Sequence, residues 1–178
     1  MVNELIDEAI DLEPSMQKVI LQLREIKLAG IKIRTNNKAE FEPSTAKIPA
    51  CIQQYFHKNL ASKVPNRCKP GVTLCAYTEY ESDWTSDYTY FIGEEVSTFE
   101  DLPEALERHI IPVQTYVKYT TNAGPMPQVV IEAWQEIWQT PPKILGGPRN
   151  YHTDFEVYDE RALNQQNAVL DIYIGLKP

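Results

Sequence analysis

The chain is short of basic residues, cysteine and histidine, and each shortage removes a class of function. Seventeen Lys and Arg face 25 Asp and Glu, giving a net charge of −8. Phosphate contacts need a basic face, so direct nucleic-acid binding is not expected. The three cysteines, Cys51, Cys68 and Cys75, form no CxxC pair. An odd, scattered set argues for a reducing compartment and against zinc. His57, His109 and His152 fit neither a metal spacing nor a nucleophile elbow. The GGPRN stretch at 146–150 lacks the GxxxxGK[ST] pattern of a phosphate loop. No cofactor is expected. No apolar run approaches membrane-spanning length. The opening MVNELIDEAIDLE is acidic and amphipathic, unlike a signal peptide. A cytoplasmic protein that makes no membrane contact is expected.

Ordinary globular content remains. Of 178 residues, 43% are hydrophobic and 24% charged, enough to bury a core. The pattern predicts residues 1–19 as a short amphipathic helix and linker, and 20–178 as a single domain. A strand is expected over 22–34, with Gly30 marking a bulge. A helix is expected from Ser44 to Leu60, capped by Ser44 or Thr45, with Ile48, Ile52, Tyr55, Phe56 and Leu60 as its apolar stripe. Strands at 72–80 and 87–96 complete a βαββ unit. The order then repeats. It runs through a strand at 108–120, a helix opened by Gly124-Pro125-Met126-Pro127 that ends before Pro141–Pro142, and strands near 153–161 and 168–176.

The prediction is therefore an α+β fold of two βαββ modules, about 20–97 and 104–178, in a pseudo-two-fold arrangement. The sheet is antiparallel, the helices lie on one side, and a ligand cleft lies between the modules. Sequence similarity between the halves supports the repeat. DYTYFIG, ending at Gly93, overlays VLDIYIG, ending at Gly175. YTEYESD overlays FEVYDER, which sets Thr78 at the place of Glu156.

Glu156 sits between Phe155 and Tyr158 in a strand-like run, although Glu is depleted from strands. It is a surface residue, a salt-bridge partner of Arg161, Arg149 or Lys118, a general base, or the counter-ion of a cationic ligand. Around it the chain is rich in rings, with ten Tyr, five Phe and three Trp. Aromatics suit strands on propensity alone, but they also form cation–π faces. Trp134 is divided between core and cavity wall; Trp138 is assigned to the core.

Several stretches of the chain also resemble a known family. LAGIKIRT, AKIPACIQQYF, YTEYESDWTSDYTYFIGEEV, VIEAWQEIW, TDFEVYDER and LDIYIGLKP together resemble the effector-binding domain of gyrase-inhibitor-like proteins. The same domain closes AraC/XylS-type and MerR-type multidrug regulators. The resemblance spans roughly 20–178, and FE-x-Y followed by IYI-x-L-K is its most specific part. It implies an acid, Glu156, that meets cationic or amphipathic drug-like molecules among Tyr158, Tyr173, Trp134 and one of Tyr90 and Phe91. Simple alternation lets only one of that last pair face the cleft. The chain is similar to standalone members of the family, some carried on mobile gene cassettes, with no DNA-binding domain expected ahead of the module. Such members act as sensors or sequestering modules, as gyrase-inhibitor-like interaction proteins, or as hydrolases of electrophilic toxins. The last would use Glu156 as general base. The amphipathic N-terminal helix and the acidic surface leave a homodimer or a protein partner open.

Overall fold

Two interruptions, Arg24–Glu25 and Pro112–Val113, decide the architecture. The computed structural model describes residues 16–178. The helix expected near the start falls on residues outside these. The segment 17–19, expected as linker, is instead the start of a strand. The eight strands are β1 (Gln17–Leu23), β2 (Ile26–Thr35), β3 (Thr73–Thr78), β4 (Tyr88–Val96), β5 (Glu107–Ile111), β6 (Gln114–Thr120), β7 (Thr153–Tyr158) and β8 (Asp171–Gly175). The helices are α1 (Asn37–Glu40), α2 (Ile48–His57), α3 (Gln128–Gln139) and α4 (Pro142–Leu145). Each βαββ unit predicted from the sequence is present, as β2-α2-β3-β4 and β6-α3-β7-β8.

The two leading strands, expected as single pieces, are each two strands. Pro112 has no N–H to donate and ends β5. All eight strands form one antiparallel sheet in the order β1-β6-β8-β7-β3-β4-β2-β5. β1 runs into β2 but pairs with β6, while β5 runs into β6 but pairs with β2. Each unit is thus flanked by the strand that precedes the other. A link from Leu23 to Ile26 spans at most about 11 Å. Six strand spacings in a flat sheet would span about 29 Å. The sheet must therefore curl until its ends nearly meet.

The curl separates two faces. Outside, α2 and α3 cover two clusters. One includes Tyr55, Cys75, Tyr90 and Ile92; the other includes Val129, Ala133, Trp134 and Ile172. Inside, all eight strands contribute to a third cluster, centred on Leu28, Phe91, Tyr116 and Phe155. A single cross-strand row, Lys32, Phe91, Ala76, Phe155, Tyr173 and Lys118, crosses the middle of the sheet. From either end it runs lysine, aromatic ring, apolar residue.

That row corrects the repeat register. Matching Gly93 with Gly175 puts Ala76 and Phe155 on the pseudo-two-fold axis. Tyr77, not Thr78, then takes the place of Glu156. Thr78 points to the inner face with Leu74 and Ala76, because residues opposed across a ladder share a face.

Two local expectations also change. β2 continues past Gly30 without a bulge; Gly30 and Gly93 are opposed, and a Cβ on either would strike the other strand's backbone. Helix α2 begins at Ile48, with neither Ser44 nor Thr45 as its cap. The Glu40 carboxylate from α1 instead accepts the backbone N–H groups of Lys47 at 3.0 Å and Ile48 at 3.1 Å.

Candidate ligand-binding site

The site follows from alternation along three central strands. β7 turns Asp154, Glu156 and Tyr158 toward the helices and sends Phe155 and Val157 inward. Its neighbour β3 turns Cys75 and Tyr77 the same way, with Cys75 directly opposite Glu156. β4 adds Tyr88, Tyr90 and Ile92. α3 lies across β7 because Val129, Ala133, Trp134 and Ile137 form its buried stripe. This places the Trp134 indole over Glu156.

Glu156 is 2% exposed. One carboxylate oxygen, Oε1, accepts the Trp134 Nε1–H at 2.6 Å and the Tyr77 hydroxyl at 2.8 Å. The other, Oε2, accepts the Tyr158 hydroxyl at 2.7 Å. The three basic residues proposed as partners are engaged elsewhere. Arg161 pairs with Asp159 and Asp171, Lys118 with Asp171, and Arg149 with Asp154. Among the described residues none forms an ion pair with Glu156. Burial raises its proton affinity above the ordinary carboxylate value, and the three donors oppose that rise. An isolated buried carboxylate is costly. Each hydrogen bond to a charged group returns about 1.5–3 kcal/mol. Three neutral donors therefore hold a carboxylate in place without cancelling its charge. The Cys75 thiol is pushed well above its usual range, first by burial and then by Glu156, so it is no nucleophile.

Two cavities on this face are lined by the donors to Glu156, while Glu156 itself lines neither. The first, of about 190 Å³, is walled by Tyr77, Tyr80, Tyr88 and Trp134. Trp84 and Trp138 stack at its rim, 5.0 Å apart and 7° from parallel, with Phe41 edge-on to Trp138 at 6.0 Å. The second, of about 370 Å³, lies between Ile52 and Phe56 of α2 and the Met126 and Leu163 loops, with Cys75 and Tyr158 among its lining. Two donors to Glu156 thus line one cavity and the third lines the other. Next to them, Asp154 is fully buried and satisfied by Arg149 at 2.6 Å, Tyr80 at 2.9 Å and the Gly175 amide at 2.9 Å.

Of the six residues singled out from sequence, the fold brings Glu156, Tyr158 and Trp134 into hydrogen-bond contact. Tyr90 shares their face but sits one layer below, edge-on to Tyr77 at 5.4 Å. Phe91 points to the inner face beside His109. Tyr173 is also on that face, stacked on Phe155 at 4.5 Å and 4°. Six ring residues of the first cavity were not singled out as ligand contacts: Phe41, Tyr77, Tyr80, Trp84, Tyr88 and Trp138. Trp138 is half-buried at the cavity rim rather than in the core. One signal was available for it, since it lies four residues after Trp134 on the same helix face.

The model of the family described as Cass2, integron-associated effector binding protein, matches residues 19–176. The chain belongs to this family. A Cass2-type relative, an integron cassette protein from the mobile metagenome of Vibrio cholerae, is 28% identical, with a TM-score of 0.71 over 90% of this chain and 95% of its own. The Bacillus subtilis protein YobU is 29% identical over 85% of this chain and 92% of its own. The structure of SAV2435 bound to tetraphenylphosphonium shares the fold at 16% identity, with a TM-score of 0.70 over 91% of this chain and 94% of its own. The Cass2-family fold thus comprises the two βαββ units, the antiparallel sheet and the one-sided helices, and it serves small-molecule effector binding. Among its described residues no helix is long and apolar enough to cross a membrane.

Proposed function

We propose that this protein is a binding module for cationic, aromatic small molecules, with Glu156 as the counter-ion. One observation carries the reading: a carboxylate 2% exposed that holds three neutral hydrogen-bond donors and no ionic partner among the described residues. A ligand cation supplies the missing charge. The rings of Tyr77, Tyr80, Tyr88 and Trp134 supply cation–π and stacking faces, and the Trp84–Trp138 pair closes over the ligand. One charge within aromatic walls selects a chemical class rather than a single shape, so several dyes should compete for the site. The fold neighbour bound to tetraphenylphosphonium is consistent with this class. The module then acts as a sensor or a sequestering protein.

The test is titration of tryptophan fluorescence with tetraphenylphosphonium and rhodamine 6G, comparing wild type with Glu156→Gln. Quenching should saturate at one equivalent in wild type and weaken strongly in the variant. Equal affinities would remove Glu156 as counter-ion. Mass spectrometry of the recovered ligand should show it intact; a new product would instead assign Glu156 the role of general base.

A further inference from the structure

The inner face of the sheet holds a cavity of its own, of about 240 Å³. It opens where the β1–β2 link closes the curl. Leu23, Ile26, Val72, Leu74 and Val157 form its walls, and the stacked Phe155 and Tyr173 rings form its floor. β7 separates it from the Glu156 site, because Phe155 and Val157 point opposite to Glu156.

Its rim carries a different charge from that site. Arg24, Lys69 and Glu95 are the charged residues lining it. Arg24 and Glu95 neutralise each other at 2.5 Å. Lys69 forms no ion pair and no side-chain hydrogen bond among the described residues, and its side chain is exposed. Asp159 and Asp171, the acids nearest Tyr173, are both held by Arg161. The rim therefore carries a surplus of one positive charge in a chain of net charge −8. A cation would be repelled there. An apolar ring could pack against Phe155 and Tyr173 while its acid group reached the Lys69 ammonium.

We propose that this inner cavity is a second ligand site, for a small aromatic carboxylate, independent of the cation site across the sheet. Isothermal titration of the full chain with 1-naphthoate at low salt tests it. One equivalent should bind, and Lys69→Glu should weaken binding about tenfold or more. The neutral analogue 1-naphthamide should bind wild type about tenfold more weakly than the acid. Glu156→Gln and saturating tetraphenylphosphonium should leave naphthoate binding unchanged. Lys69→Glu replaces a surface ammonium, so a melting curve matching wild type will show the variant folded. The proposal falls if wild type shows no naphthoate binding at millimolar concentration, or if Lys69→Glu binds as well as wild type. Displacement of naphthoate by tetraphenylphosphonium would overturn it too, by placing the anion in the Glu156 site.

Discussion

Phe155 and Glu156 are neighbours on one strand, and the sheet puts them in opposite kinds of space. Phe155 faces an inner core to which every strand contributes, with Tyr173 flat against it. Glu156 faces the cleft beneath the helices, held by three neutral donors. The first is held by packing alone. The second is a buried carboxylate with no ionic partner among the described residues. Adjacent positions at the centre of a sheet can therefore divide stability and binding between them.

Breaking this division should give its largest effect at Phe155. Phe155→Ala should cost about 3–5 kcal/mol in urea unfolding, since its ring is 1% exposed in the inner cluster. Under conditions where the variant stays folded, cation affinity should change little. Glu156→Gln should do the converse, weakening tetraphenylphosphonium by roughly 100-fold, about 3 kcal/mol, because the ligand charge loses its buried partner. Tyr77→Phe and Tyr158→Phe each remove one donor and should weaken cation binding by about 1.5–3 kcal/mol in the same fluorescence titration. Tyr90→Phe sharpens the contrast: its hydroxyl does not reach Glu156, and affinity should shift by no more than about 0.5 kcal/mol.

The pH dependence has a definite sign. Burial raises the Glu156 pKa above 4.5 in the folded chain. The unliganded fold thus holds this proton more tightly than the unfolded chain does. The resulting stability is complete below the unfolded pKa and is lost as pH rises through the folded one. A cation needs the ionised form, so its affinity should rise over the same interval, by up to about tenfold per pH unit. Glu156→Gln should remove the slope in affinity and the Glu156 share of the slope in stability, leaving the part due to Glu94 and His109. Melting temperatures and titrations across pH 4 to 8 would show this.

Much of the fold was legible because its signals are local. Pro127 ahead of α3, the paired prolines after it, and the two-residue periodicity of β3 and β7 all act within a few residues. The strand exchange was not legible. Residues 22–34 and 108–120 look continuous, and no local property shows that their halves pair at opposite ends of a sheet. The site was half legible for a related reason. β4 is buried along its entire length, so alternation of polarity cannot tell whether Tyr90 or Phe91 shares the face of Glu156. Pairing answers it: Phe91 lies opposite Ala76, which itself lies opposite Phe155. The rings of the first cavity come from α3, β3, β4 and the turn carrying Trp84, and only the three-dimensional register joins them.

The exchanged edge strands have a mechanical consequence. A two-module protein with ligand at its seam could open like a book, parting β3 from β7. Here such a motion would also have to tear β1 from β6 or stretch the link between β1 and β2, and do the same with β5. The sheet is latched from both ends, so its frame is stiff. If the cleft admits a ligand, the parts free to move lie outside the latch: the Trp84 turn, the end of α3 at Trp138, and Phe41 just after α1.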